Sequence, residues 1–338
     1  MAPRSERDEL ADAWRALSGL PGAAGWRTIA VCAGGPCRLL AGRQTPGDEE
    51  ALLIDLGPNR LPAGLQLPQG RGFSVTHAVV EPGAATTWIG LSRRAGGSLD
   101  LFANMAEDIV RTLQRLAGGG PAVILRALLD RIRAWQTFMD RSGEGVLGPE
   151  AEIGLFGELQ VFADMIRGGV PELSVCEAWE GPRDGVHDFR WVTGAIEVKT
   201  STAIGGFPAR IDSIDQLDDS SVQPLFLAAV RLGLLQAGAT LPELVTVIRS
   251  LLNEQTGALG VFEDRLLLAG FLGAQVERYT RRFVVIDVRL FLVGASFPRL
   301  TRAEVPRSIL DVRYDLDVDQ VTEPPTALAA VLSRIGAT

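Results

Sequence analysis

The chain has 338 residues, of which 46% are hydrophobic and 22% charged, with a formal net charge of −8. This composition is typical of a globular protein with two or three packed units, and it excludes a disordered or fibrous chain. The best candidate for a membrane span, Leu225–Leu235, is interrupted by Arg231 and is too short. Because the charged N-terminus also lacks the apolar segment of a secretory signal, we expect a cytoplasmic protein with no membrane partner.

The N-terminal third combines one helix, several short strands and two further helices. A helix is predicted over 5–18, where Leu10, Trp14 and Leu17 form one apolar stripe. From residue 26 to about 100, short apolar or alternating runs separated by Gly and Pro indicate a β-rich domain. These runs cover 27–32, 38–40, 51–56, 73–80 and 86–91. Two helices are then predicted over 99–116 and 121–140.

The remaining two thirds alternate between strands and helices. A helix is predicted over 149–167, since Pro149 suits a first helical position and Gly168-Gly169 ends it. The predicted strands lie near 173–179, 187–192, 195–200, 207–211, 283–293 and 309–315. Further helices are predicted over 222–236, 241–254, 260–272 and 326–335. This order indicates an α/β layout with a mostly meandering sheet.

Counts of three residue types restrict the chemistry. The two histidines, His77 and His187, and the three cysteines do not have the spacing of a structural zinc site, and three cysteines are too few for a disulfide framework. Of the 33 basic residues only Lys199 is a lysine. A phosphate-binding P-loop and a protein kinase each need a lysine within a characteristic motif, and neither motif is present.

Two acidic residues are expected close to this single lysine. Side chains alternate along a strand, so Glu197 and Lys199 share one face of the strand predicted over 195–200. A turn at Thr193-Gly194 brings Asp188 across from them. Adjacent carboxylates repel unless a cation joins them, and their hard oxygens favour Mg²⁺ or Mn²⁺. The pattern suits phosphodiester hydrolysis. An ordinary strand with a Glu–Lys pair is the open alternative.

A third acid borders the buried stripe of the helix predicted over 149–167. Glu158 lies beside Leu159, and Gly154 and Gly157 would let this helix approach a sheet closely. A carboxylate in that position either meets a cation or reaches out to solvent. The spacing leaves both possibilities open.

Five segments resemble a known family. They are Gly-Leu-Phe-Gly-Glu-Leu (154–159), Ala-Trp-Glu-Gly-Pro (178–182), His-Asp-Phe (187–189), Ile-Glu-Val-Lys-Thr-Ser (196–201) and Ile-Asp-Ser-Ile-Asp-Gln-Leu (211–217). They resemble the PD-(D/E)XK nuclease superfamily. More narrowly, they resemble a bacterial group of PD-(D/E)XK family members, formerly a domain of unknown function, found beside phage-defence and restriction-type genes.

The resemblance implies a set of functional residues. The implied catalytic residues are Glu158, Asp188, Glu197, Lys199 and Gln216, with Gln216 as an auxiliary polar residue at the edge of the site. It implies Mg²⁺, which Mn²⁺ could replace, held by Asp188, Glu197 and the backbone carbonyl of Val198, with Glu158 acting through a water. His187 stands where the nominal motif has proline, so it is either an extra site residue or a strand-edge histidine.

The resemblance also implies a fold and a division of the chain. We expect an α/β protein whose restriction-endonuclease-like core has a mixed central sheet flanked by helices. The expected parts are an N-terminal helix with a β-rich domain (1–100), a helical connector (101–148), the nuclease core (149–236) and a C-terminal α/β extension (237–338).

The first functional hypothesis is a Mg²⁺-dependent DNA endonuclease of a bacterial restriction or phage-defence system. We expect DNA as its partner, a homodimer, and contacts with other defence proteins. Candidate phosphate contacts are Arg183, Arg190, Arg210, Arg278, Arg281 and Arg282, the last three being better explained as a solvated face. The alternatives are a catalytically silent DNA- or partner-binding module and a phosphodiesterase acting on RNA.

Overall fold

The structure, a computed structural model, forms two compact units, Met1–Gly145 and Val146–Thr338. The residues that it describes are 6–19, 24–32, 35, 37–58, 61–62, 65–80, 86–116, 120–141, 147–252 and 256–337.

In the part of the first unit that the structure describes, one antiparallel sheet is combined with three α-helices. The helices are α1 (Glu6–Leu17), α2 (Leu99–Gln114) and α3 (Pro121–Arg141). The strands are β1 (Gly25–Val31), β2 (Leu39–Thr45), β3 (Glu50–Asp55), β4 (Phe73–Ala78) and β5 (Trp88–Arg93), in the order β1-β2-β3-β5-β4. These elements confirm the helices and short strands predicted for this region. Ser5, the first residue of the predicted helix, lies outside the described residues.

The described residues of the second unit form a four-stranded sheet, a two-stranded sheet and five α-helices. The helices are α4 (Pro149–Arg167), α5 (Glu172–Ala178), α6 (Leu241–Leu251), α7 (Thr256–Leu268) and α8 (Leu328–Arg334). The strands are β6 (Phe189–Trp191), β7 (Gly194–Ser201), β8 (Pro208–Ile211), β9 (Leu225–Ala239), β10 (Phe283–Val293) and β11 (Tyr314–Asp317).

The main sheet of this unit has the order β10-β9-β7-β6, and β8 pairs with β11 separately. β7 and β9 run parallel, whereas β6–β7 and β9–β10 are antiparallel. The predicted α/β class with a mixed sheet is therefore confirmed. The predicted meander is wrong, because β8 leaves the sheet between β7 and β9. β9 also runs through residue 236, where the sequence placed a division between core and extension.

The strand predicted near 173–179 is wrong, since Glu172–Ala178 forms α5. Leu173 and Val175 alternate with polar residues, which favoured a strand. The buried positions are Val175, Cys176, Ala178 and Trp179, a spacing that matches one face of a helix.

The helix predicted over 222–236 is also wrong, because most of this segment belongs to the long strand β9. Its Leu and Ala residues favour a helix in isolation. β9 lies between β7 and β10, and both faces of its first half are buried. A strand buried on both faces shows no alternation, so tertiary packing overrides the local preference. The strand predicted over 309–315 is displaced, and β11 begins only at Tyr314.

Helix α4 lies directly against β7 through a glycine. A Cβ atom at Gly157 would come within 1.8 Å of the Thr200 hydroxyl oxygen, which leaves no room for any side chain. Gly154, expected to serve the same purpose, has no atom within 4 Å of such a Cβ and does not contribute to this close approach. Ile196 and Val198 of β7 pack into the apolar cluster that α4 covers.

We predict opposite effects for alanine at these two glycines. Gly157→Ala should lower the free energy of unfolding by about 1–3 kcal/mol, because the methyl group collides with Thr200. Gly154→Ala should raise it by about 0.5–1 kcal/mol, because alanine favours a helix where space is open. Urea denaturation measures both, and equal effects would contradict the α4–β7 contact.

Candidate active site

The β6–β7 hairpin fixes Asp188 at the edge of the main sheet. Phe189 pairs with Ile196, so Asp188 lies opposite Glu197, as the predicted turn requires. The Val198 N–H donates to Asp188 Oδ2 at 2.7 Å. The Asp188 carbonyl accepts the N–H groups of Glu180 and Gly181, at 2.8 and 3.1 Å. Both the backbone and the side chain of Asp188 are therefore held in place.

Lys199 is held between a carboxylate and an amide. Its Nζ lies 2.9 Å from Glu197 Oε1 and donates to Gln216 Oε1 at 3.2 Å. Gln216 Oε1 also accepts the N–H of Asp212 at 2.9 Å, which orients the amide. The side chains of Lys199 and Glu197 are 13% and 2% exposed, so the ion pair is largely shielded from water.

Glu158 points inward, which resolves the alternative that the sequence left open. Its Oε2 accepts a hydrogen bond of 2.8 Å from Trp179 Nε1. A Cβ atom at Gly181 would lie 2.8 Å from Asp188 Oδ1 and 2.9 Å from Glu158 Oε2. The two carboxylates thus border the same small space beside Gly181, and any larger residue there would fill it.

Burial and mutual repulsion favour the protonated form of the three carboxyl groups in this site. Burial, aided by the charge of Asp188, raises the pKa of Glu197 to about 8. Burial raises the pKa of Asp188 to about 6, against the opposing effects of the Val198 N–H and Lys199. The pKa of Glu158 is well above its ordinary value, mainly through burial and the nearby Asp188. One ammonium does not compensate three carboxylates that are buried or half-buried.

Lys199 itself remains protonated. Burial alone would lower the pKa of its ammonium, but the attraction of Glu197, the hydrogen bond to it and the charge of Asp188 together raise that pKa above its ordinary value. The lysine is therefore a fixed positive charge and hydrogen-bond donor at neutral pH, not a base.

The donor chemistry of Asp188 and Glu197 fits a divalent ion such as Mg²⁺. Glu197 Oε2 is buried without a hydrogen-bond partner, as expected of an oxygen that awaits a cation. Within the described residues, no three His, Cys, Asp or Glu side chains form a group that could hold a metal. Two carboxylates with several waters are a usual Mg²⁺ environment, and Glu158 would then act through a water. The metal and catalytic roles of these residues remain predictions.

The structure adds two residues to those predicted from sequence. Trp179 orients Glu158, and Gly181 leaves the space that Glu158 and Asp188 border. Both lie in the Ala-Trp-Glu-Gly-Pro segment, where no role was assigned to them. A signal for Trp179 was available, because the indole N–H of a buried tryptophan needs an acceptor.

The other residues that the sequence suggested for the site differ in burial and in ion pairing. His187 is 1% exposed and directly precedes β6, the edge strand of the main sheet, so both a site residue and a strand-edge histidine stay open for it. Arg210 is paired with Asp212 at 2.9 Å. Arg281 and Arg282 form ion pairs with carboxylates of the same unit, which disfavours them as phosphate contacts. No helix in the described ranges has the length and hydrophobicity needed to cross a bilayer.

We predict that metal-free protein loses stability as the pH rises from about 6.5 to 8. Glu197 has an ordinary pKa of 4.5 and a folded pKa of about 8, so the unfolded chain releases its proton first. The stabilisation that results from a raised carboxyl pKa is complete at low pH. It is lost as the pH rises to the pKa of the folded state. In EDTA, the melting temperature should fall by about 5 °C over this range.

Glu197→Gln should reduce that fall, because glutamine does not titrate, and the raised pKa of Glu158 accounts for the part that remains. The pKa of Asp188, at about 6, and that of His187, at about 4, lie below the chosen range and contribute little to it. If the melting temperatures of the variant and of the wild type fell equally between about pH 6.5 and 8, Glu197 would be ionised in the folded protein over that whole range.

Comparison with known proteins identifies the family. A family model described as "Putative PD-(D/E)XK family member (DUF4420)" matches residues 10–319. Searches of curated proteins and of solved structures gave no match. The match includes all five segments that resembled this family in the sequence, together with the site built around Lys199. The chain therefore belongs to this PD-(D/E)XK family.

Proposed function

We propose that the protein is a Mg²⁺-dependent endonuclease that hydrolyses phosphodiester bonds in DNA. The observation that carries the proposal is the position of the Lys199 ammonium, held by Glu197 and Gln216 on the patch where Asp188 also lies. Family membership supports a nuclease-like fold, and this acid–acid–lysine cluster is the part of that fold with hydrolytic chemistry.

Each side chain has a distinct part in the proposed reaction. Lys199 is positioned to orient an attacking water and to stabilise the negative charge that develops on the phosphate. Glu197 and Gln216 keep its ammonium in one place, and the Val198 N–H does the same for Asp188. A divalent ion bound by Asp188, Glu197 and the Val198 carbonyl would polarise the scissile phosphate. We expect Mn²⁺ to replace Mg²⁺.

DNA as substrate and a place in bacterial restriction or phage defence are finer parts of the proposal. They rest on the resemblance to a group found beside such genes, and they would place the enzyme and its defence partners in the cytoplasm. The net charge of −8 does not oppose DNA binding, because a basic cleft can lie in an acidic protein.

We predict cleavage of plasmid and linear DNA that requires Mg²⁺ or Mn²⁺ and stops in EDTA. Lys199→Ala should lower the rate by at least about 100-fold, because it removes a charge that stabilises the transition state. Arg313→Ala is the matched control, since Arg313 pairs with Asp311 on an exposed surface and its loss should leave the rate unchanged.

The outcomes separate this proposal from its alternatives. DNA binding without cleavage in any divalent ion would favour the silent binding module. Preferential cleavage of an RNA of the same sequence would favour the RNA phosphodiesterase. Equal rates for wild type and Lys199→Ala would show that the activity does not arise at this site.

We further propose a homodimer, because one site of this kind cuts one strand and two are needed for a double-strand break. Light scattering at micromolar concentration should give twice the mass of the chain, and plasmid should become linear with little nicked intermediate. A monomeric mass together with nicking alone would contradict the dimer.

A further inference from the structure

A buried arginine of the second unit has no ion-pair partner among the described residues. Arg265 lies in α7 and is only 8% exposed. Its Nε is enclosed without a hydrogen-bond partner, and its one hydrogen bond to a described residue runs from Nη2 to the Glu177 carbonyl at 3.4 Å. Among the described residues, no carboxylate forms an ion pair with it. Buried charges are usually paired, so this arginine needs an explanation.

Neighbouring charged groups affect the free-energy cost of burying Arg265. Burial and then the neighbouring Arg183 lower the pKa of Arg265 below its ordinary value. Glu180 and Asp264 act in the opposite direction. Arg183 is exposed, and the 3-10 turn that it ends (Gly181–Arg183) packs against α7, which carries Arg265. Placing a like-charged pair in a partly dry site costs free energy that an incoming anion would offset.

This pair adjoins the candidate active site through one short turn. Arg183 ends the 3-10 turn Gly181–Arg183, which packs against α7. At the other end of that turn, Gly181 borders Asp188 and Glu158. An anion held by Arg183 would therefore lie beside the turn that borders Asp188 and Glu158. A polymer with regularly repeated negative charges would place one charge beside Lys199 and a neighbouring charge at the arginines.

We propose that Arg265 and Arg183 bind a backbone phosphate of the nucleic acid next to the one that is cleaved. Guanidinium groups suit this role because their planar donors match two phosphate oxygens at once. The nature of the ligand rests on the proposed function, whereas the unpaired buried charge does not. No bond is made or broken at this second phosphate, so the two arginines position the substrate.

The test measures binding in EDTA, so that it does not depend on catalysis. Fluorescence anisotropy follows a labelled DNA duplex, and RNA of the same sequence, at several salt concentrations. Arg265→Gln and Arg183→Gln should each weaken binding by about tenfold and reduce the salt dependence by about one released ion. Arg313→Gln, which removes an exposed paired charge elsewhere in the unit, should change neither.

Thermal stability separates a phosphate site from a structural role. Arg265→Gln should leave the melting temperature of the free protein unchanged or raise it, because it removes an uncompensated buried charge. Inorganic phosphate should raise the melting temperature of the wild type more than that of the variant. A large drop for Arg265→Gln, with binding reduced only in proportion to the unfolded fraction, would overturn the proposal.

The results distinguish this proposal from the nuclease proposal. Binding that depends on Arg265 without any metal-dependent cleavage would support the phosphate site and reject the nuclease. Cleavage that depends on Lys199, with unchanged binding and salt dependence in both arginine variants, would support the nuclease and reject the phosphate site. Tighter binding of DNA or of RNA identifies which backbone supplies the phosphate.

Discussion

Three carboxyl groups, one buried and two half-buried, lie around one ammonium in this protein, and the rest of the site depends on that imbalance. Asp188, Glu158 and Glu197 converge from a strand edge, a helix and a strand, and Lys199 is the cation that pairs with Glu197. Burying like charges together costs free energy unless protons or a cation compensate them. This electrostatic repulsion does not stabilise the fold. Groups that destabilise a fold in this way are typical of functional sites.

The fold keeps these groups together through two glycines and two donors. Gly157 brings α4 against β7, and Gly181 leaves space between Glu158 and Asp188. The Val198 N–H and the Trp179 indole each orient one carboxylate. Because these supports come from three different segments, the site forms only when the sheet, α4 and the 3-10 turn have packed together. A mutation in any support should therefore affect chemistry as well as packing.

The arrangement of charges around the site differs from one side to the other. Asp188, Glu197 and Lys199 belong to the β6–β7 hairpin and Glu158 to α4, whereas Arg183 ends the 3-10 turn and Arg265 lies in α7. Among the described residues, no carboxylate forms an ion pair with either arginine. A pair of carboxylates suited to a divalent ion, beside the two arginines proposed to bind a phosphate, would suit an anionic polymer. The overall charge of −8 conceals this local separation.

The sequence by itself determined the parts of the site that depend on neighbouring residues. Strand alternation and one tight turn were sufficient to place Asp188, Glu197 and Lys199 together, because a hairpin is a local structure. Packing alone decided the rest. β9 is a strand because both of its faces are buried between β7 and β10, although its composition favours a helix. The inward orientation of Glu158 and the isolation of Arg265 likewise depend on partners distant in sequence, and local patterns carry no information about such partners.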